Sequence, residues 1–172
     1  MTILTQLTSL SSLHGLVLFI GPPGSGKSTF AKRLIARHVL EENSYISNDK
    51  IAKELFGVTA NRGDKDGAIF AEQDKRITSL LKSGKAAAVD ATNVRPEARQ
   101  RLLAIAKDFS APVTAFCFSR DEATLLRQNK GRDVEVPEHM VLEYAALMRQ
   151  VTPERLRSEG IQDVFEVSAD IS

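Results

Sequence analysis

The stretch Gly21-Pro22-Pro23-Gly24-Ser25-Gly26-Lys27-Ser28-Thr29 has the residue types and spacing needed to grip a chain of phosphates. It matches GxxxxGK[ST], a P-loop. Glycines at 21, 24 and 26 let successive backbone N–H groups converge on an anion at the positive end of a helix. Lys27 adds a point charge on the β- and γ-phosphates, and Ser28 offers its hydroxyl to Mg²⁺. Gly21, Gly24, Ser25, Gly26, Lys27, Ser28 and Thr29 are therefore the expected ATP-binding residues, with Ser28 the metal ligand. The loop leaves the acceptor of the phosphate undefined.

Acceptor-side chemistry needs a base, a means of holding the acceptor and a cation over the transferring group. Asp49 lies just after an apolar segment and is placed to take the proton of an attacking hydroxyl in line with the γ-phosphate; it is also suited to capping a helix with Asn48. Asp90, closing Val89-Asp90-Ala91-Thr92-Asn93, could hold Mg²⁺ through water, position the acceptor or form a turn. Asn93 suits a substrate phosphate or hydroxyl, or a helix cap. Arg127 and Arg132 bracket Gly131 in Leu125-Leu126-Arg127-Gln128-Asn129-Lys130-Gly131-Arg132-Asp133. Such arginines can swing over ATP as an arginine finger in cis, so Lys27, Asp49, Arg127 and Arg132 form the expected catalytic set.

The elements that must position these groups follow from apolar periodicity. Leu16–Ile20 is a short run rich in β-branched and aromatic residues ahead of the loop, and Phe30, Leu34, Ile35 and Val39 recur at helical spacing over about 27–39. Further strands are expected at 44–47, 86–90, 113–118 and 164–167. Helices are expected from Asn48 to Gly57, over about 67–82, after Pro96, and over about 120–129 and 137–149, with an exposed loop at 58–66 and a polar lead of undefined structure before the first strand. Alternating strands and helices predict an α/β fold of the P-loop NTPase type. Its central parallel sheet of about five strands carries helices on both faces and an arginine-bearing lid, and the chemistry lies at the C-terminal edge. With no internal repeat or linker, 1–172 reads as one domain with its core at about 16–168.

Composition excludes several classes. The 172 residues are 42% hydrophobic and 26% charged, enough for a core without metals or disulfides, and Cys117 is the one cysteine, so no intrachain disulfide is possible. It sits in an apolar run and reads as a buried strand residue. No segment reaches membrane-spanning length, and Met1 to Ser12 lacks the basic flank and long apolar stretch of a signal peptide; a cytoplasmic protein is expected. Net charge is only +1, which gives no global field for nucleic acid, although Arg95 to Arg132 holds eight basic residues against four acidic ones.

From Leu16 to Val167 the chain resembles the polynucleotide 5′-hydroxyl kinase family of phage and bacterial end-repair enzymes. The resemblance rests on Gly21–Lys32, Ile-Ser-Asn-Asp at 46–49, Val-Asp-Ala-Thr-Asn-Val at 89–94, Ala-Arg…Ile-Ala-Lys-Asp at 98–108, the 127–132 segment and Val136-Pro137. It implies ATP and Mg²⁺ as cofactors, a 5′-hydroxyl nucleic-acid end as acceptor, Asp49 as general base, Lys27 and Ser28 on phosphates and metal, and lid arginines on ATP. Two positions depart from the family. Its lid arginines are spaced Arg-x-x-x-Arg, one residue closer than Arg127 and Arg132, so Arg132 is the firmer match. It also commonly has an arginine three residues after the base, gripping the acceptor's 3′-phosphate, where this chain has Ala52. Lys50 and Lys53 flank that position but project elsewhere on a helix. In a polynucleotide kinase, Ala52→Arg is therefore expected to lower the KM for 5′-hydroxyl oligonucleotides with little change for ATP. A kinase of a small hydroxylated metabolite, nucleoside or tRNA-linked amino acid, and a regulatory ATPase with no acceptor, stand as alternatives.

Overall fold

The computed structural model describes residues 13–57, 63–132 and 135–168. Five strands, β1 (Leu16–Ile20), β2 (Tyr45–Ser47), β3 (Ala87–Asp90), β4 (Val113–Cys117) and β5 (Asp163–Glu166), form one parallel sheet in the order β2-β3-β1-β4-β5. Seven α-helices connect and cover them among the described residues: α1 (Lys27–Ala36), α2 (Asn48–Phe56), α3 (Asp66–Lys82), α4 (Pro96–Asp108), α5 (Glu122–Lys130), α6 (Glu138–Met148) and α7 (Pro153–Ser158).

Strand β1 is buried at every residue, between β3 and β4. Its side chains alternate: Leu16, Leu18 and Ile20 join a core with residues of α2, α3, α4, α6 and α7, while Val17 and Phe19 join a second core against α1. At roughly 1.5–3 kcal/mol for each fully buried apolar side chain, this alternation makes β1 the anchor of both layers. Phe19 stacks on Phe116 with ring centroids 5.8 Å apart, and Phe30 of α1 meets both rings edge-on or tilted. The P-loop helix is thereby fixed to the strand that feeds it. Because the chain leaves β1 toward β2, returns to β3 and then crosses to β4, the C-terminal end of β1 is the switch point of the sheet, where open α/β folds bind ligands.

The expected architecture is the observed one, with shifts at element ends. Helix α1 stops at Ala36 instead of about 39; His38 takes φ 58°, and the Val39 N–H turns back to the Leu34 carbonyl, which still buries Val39. Helix α7 was not expected, although Thr152 caps it and Pro153 opens it. Of the expected loop at 58–66, residues 58–62 lie outside the described residues, and Gly63–Lys65 forms a 3₁₀ turn. The lead Met1–Ser12 lies outside them too, as does Asp133. Cys117 is buried, and burial and the nearby Glu166 carboxylate push its thiol up to about 12 despite Arg99, so it is inert. No helix among the described residues is long and apolar enough to cross a membrane.

Candidate active site

The loop from Gly21 to Gly26 joins β1 to α1 and is packed too tightly for side chains at two of its glycines. A Cβ on Gly21 would lie 2.6 Å from Ser25 Oγ and 2.9 Å from Phe118; one on Gly24, at φ 81°, would lie 3.0 Å from the Leu125 carbonyl oxygen of α5. The lid helix thus rests directly on the P-loop. No side chain caps α1, whose first-turn N–H groups face the loop, and Ser28 and Thr29 are exposed there. Ser25 is turned inward: its N–H donates to the Pro22 carbonyl at 3.2 Å, and its buried Oγ has no partner among the described residues.

Lys27 is nearly buried, and its ammonium donates to the carbonyls of Gly21 and Pro22, both at 2.9 Å. Burial lowers its pKa to about 8; the Asp90 carboxylate opposes the shift and the Arg132 guanidinium adds to it. Asp90 and Arg132 therefore both act on the P-loop lysine. Strand register places Asp90 beside Phe19 of β1 and Ser47 of β2. The Tyr45 hydroxyl donates to Asp90 Oδ2, and burial together with this carboxylate pushes the phenol well above its usual pKa.

Asp49 enters from α2. Ser47, and not Asn48 or Asp49, is the cap: its Oγ accepts the Lys50 N–H at 3.4 Å. This corrects the expectation that Asn48-Asp49 caps the helix. Asn48 instead accepts a 2.6 Å bond from Gln73 of α3, which pins the first turn of α2. The Asp49 side chain is 57% exposed, and its Oδ2 lies 3.6 Å from Arg132 Nη2; Arg132 Nη1 is buried without a hydrogen-bond partner among the described residues. Lys27, Asp90, Arg132 and Asp49 are thus gathered at one edge of the sheet.

Two other expected site residues stand apart. Asn93 is buried, at φ 51°, and its amide donates to the Phe19 carbonyl at 2.9 Å and the Val89 carbonyl at 3.4 Å, so that donor is committed to joining β1 and β3. Arg127 is exposed on α5, 3.5 Å from Thr124 Oγ1 of its own helix. Ala52 brings a correction: it is 0% exposed, packed in the core beside Ile51, so an arginine there would have to enter the core and the gain expected from Ala52→Arg does not hold.

Residues that pattern reading missed support the site. Besides Tyr45 and Gln73, Asn129 of α5 both donates to the Val136 carbonyl at 2.7 Å and accepts the Val136 N–H at 3.0 Å, pinning the far side of the segment that carries Arg132. Only their final partners distinguish these polar residues from ordinary surface ones.

The AAA_33 family model, described as an AAA domain, matches residues 16–153. No curated protein matches the sequence. Among solved structures the fold is similar to a chain of the Pnkp1/Rnl/Hen1 RNA repair complex, with a TM-score of 0.67 and 20% identity over 83% of this chain and 47% of that one. It is also similar to Kti12 of Chaetomium thermophilum in complex with ADP-AlF3 (TM-score 0.61, 21% identity, 91% of this chain and 90% of that one) and to a gluconokinase from Sinorhizobium meliloti 1021 (0.57, 17%, 90% and 83%). The chain spans about half the length of the RNA-repair chain and most of the other two. These likenesses show the fold, a five-stranded parallel sheet flanked by helices as in P-loop NTPases.

Proposed function

Since the chain belongs to the AAA_33 family of AAA domains, we propose that it is an ATP- and Mg²⁺-dependent phosphotransferase acting on the 5′-hydroxyl of an RNA or DNA end. The observation that carries the phosphotransferase reading is the meeting of Asp49 with Arg132 at 3.6 Å, with Arg132 and Asp90 both acting on Lys27. A base and a lid cation beside the P-loop suit group transfer, whereas a regulatory ATPase needs no acceptor base.

The residues present fit a nucleotide. The loop is closed against side chains at Gly21 and Gly24, α1 begins without a side-chain cap, and Arg132 Nη1 is buried and unpartnered among the described residues. Ser28 and Asp90 would hold Mg²⁺, which when bound neutralises charge on the phosphates. Asp49 takes the proton of the acceptor hydroxyl as its oxygen bonds to the γ-phosphorus and the β–γ bridging bond breaks, releasing ADP. Lys27 and Arg132 carry the charge that redistributes on the phosphoryl oxygens.

The nucleic-acid acceptor is supported by the Val89–Val94 and lid motifs and by the likeness to a chain of an RNA repair complex. A second reading, a small hydroxylated metabolite as acceptor, is favoured by the buried Ala52, which offers no grip on a 3′-phosphate. Incubation with γ-labelled ATP and a panel of 5′-hydroxyl oligonucleotides, nucleosides and sugars separates them. Label on oligonucleotides supports the first reading, and label on a small molecule alone replaces it with the second.

A further inference from the structure

Arg99 of α4 is the largest fully buried side chain among the described residues, at 1% exposure, and the chemistry proposed above makes no use of it. Each nitrogen of its guanidinium has a partner. Nε donates to both carboxylate oxygens of Glu159, each at 3.1 Å, Nη2 donates to Glu159 Oε1 at 3.0 Å, and Nη1 donates to the main-chain carbonyls of Asn93 at 3.1 Å and Val94 at 2.9 Å. Glu159 ends α7 and is itself largely buried.

A buried Arg–Glu pair adds little to stability over an apolar pair of similar volume, because both ions lose their hydration. What an apolar pair cannot do is hold two carbonyls. Those carbonyls belong to the turn that follows Asp90, in which Asn93 is forced to φ 51°, a left-handed conformation unfavourable for a side-chain-bearing residue. The same turn meets the strand and loop that present the P-loop at two points: the Asn93 amide on the Phe19 carbonyl at 2.9 Å, and the Thr92 carbonyl on the Gly21 N–H at 2.9 Å. An unbroken series of polar contacts therefore runs from Glu159 through Arg99 and the 92–94 turn to the first residue of the P-loop.

We propose that Arg99, held by Glu159, is a positioning residue for the P-loop: it fixes the 92–94 turn, and through that turn the entry of the loop at Gly21 and the seat of Asp90. The ligand it serves is the nucleotide phosphate chain, and in this respect the inference rests on the reading of the site as nucleotide-dependent. The buried pair also ties the end of α7, a late element of the fold, to the site formed by the first elements, so the P-loop is set only when the chain has closed.

The test uses Arg99→Lys, which keeps the charge but loses the planar fork, and Glu159→Gln, which keeps an acceptor oxygen but loses the charge. Two readouts are taken well below each variant's unfolding temperature: amide hydrogen exchange and the Kd for a fluorescent ATP analogue. Arg99→Lys is expected to speed exchange in 21–29 and 91–94 with Leu16–Ile20 unchanged, and to weaken nucleotide binding by about ten-fold, since small misplacements of a preorganised site are costly. Glu159→Gln should move both in the same direction by less. A lowered melting temperature with P-loop exchange unchanged and Kd within about two-fold of wild type would reduce Arg99 to a core residue and overturn the proposal. Wild type that fails to bind the analogue would sink the nucleotide reading instead, and exchange at Gly21 would still decide whether Arg99 sets the loop.

Discussion

Arg132 reaches from the lid to Asp49 on the opposite side of the site, Nη2 to Oδ2 at 3.6 Å. The lid cation and the proposed base thus lie within one ion pair, with a third charge, Lys27, in electrostatic range of the arginine. Aspartate capping a helix would have explained Asp49 without catalysis, but Ser47 holds the cap. Asp49→Asn should therefore leave folding and ATP affinity within a few-fold of wild type while lowering kcat by about 10²–10⁴-fold, the range of a lost general base. Stopped-assay kinetics and a binding titration check this. Joint loss of stability, ATP binding and activity would make Asp49 structural.

The two lid arginines should separate sharply. Arg132→Ala removes the cation that faces both Asp49 and Lys27 and is expected to cost about 10²–10³-fold in kcat with a smaller effect on ATP Kd. Arg127→Ala loses a 3.5 Å contact to Thr124 and a charge near Asp121, both on an exposed helix face, and should stay near wild type. An inactive Arg127→Ala enzyme beside a normal Arg132→Ala enzyme would reverse the assignment.

Lys27 gives a pH signature. Its pKa is about 8 in the folded chain against 10.5 ordinarily, because burial disfavours the ammonium. Between those values the unfolded chain binds the extra proton, so this group makes stability rise with pH from about 8 to 10.5, and below 8 its burial penalty is fully present. The stability of wild type relative to Lys27→Met should therefore improve by on the order of 3 kcal/mol across that window, as measured by urea unfolding at several pH values. A flat difference would show that Lys27 is not desolvated. Phosphates favour the charged form, so ATP binding near pH 8 should take up protons in wild type and not in Lys27→Met, which calorimetry in buffers of different ionisation heat would detect. Turnover should vanish in Lys27→Ala.

Much of this was legible in the chain because it is local. The P-loop, the five apolar runs and Asp49 are patterns within a few residues, and burial of β1 on both faces follows from its composition. The supports were not legible. Tyr45 meets Asp90 across 45 residues and Arg99 meets Glu159 across 60, and neither pair leaves any periodicity. The cap of α2 was misplaced by one residue because Ser47, Asn48 and Asp49 are all good caps and only the backbone turn chooses among them. Nor does the sequence show that Asn93, at φ 51°, donates its amide to the Phe19 carbonyl of β1.

Tyr45→Phe tests one of those supports. It removes the hydroxyl that donates to the half-buried Asp90 Oδ2 and should destabilise the fold by about 0.5–1.5 kcal/mol, the usual net contribution of a hydrogen bond. If Asp90 helps to hold Mg²⁺, the concentration of Mg²⁺ giving half-maximal activity should rise as well. Unaltered stability and Mg²⁺ dependence would remove Tyr45 from the support of the site.

The last prediction concerns Ala52. Helix α2 presents Asp49 and Lys50 to solvent on one side and Ile51 and Ala52 to α3 and the sheet on the other, where Ala52 is 0% exposed. Arginine here adds a long stem and a guanidinium to a filled core, with overpacking alone worth about 1–3 kcal/mol and an unpaired buried charge worth more. Ala52→Arg should accordingly lower the melting temperature and raise KM for a 5′-hydroxyl oligonucleotide, if it folds at all. Ala52→Ser, small enough for the space, should leave KM near wild type and shows whether the position itself takes part in acceptor binding. A stable Ala52→Arg protein with a lower oligonucleotide KM would mean that α2 can rotate or shift to bring position 52 to the acceptor, and that the burial described here is one of two states of the helix.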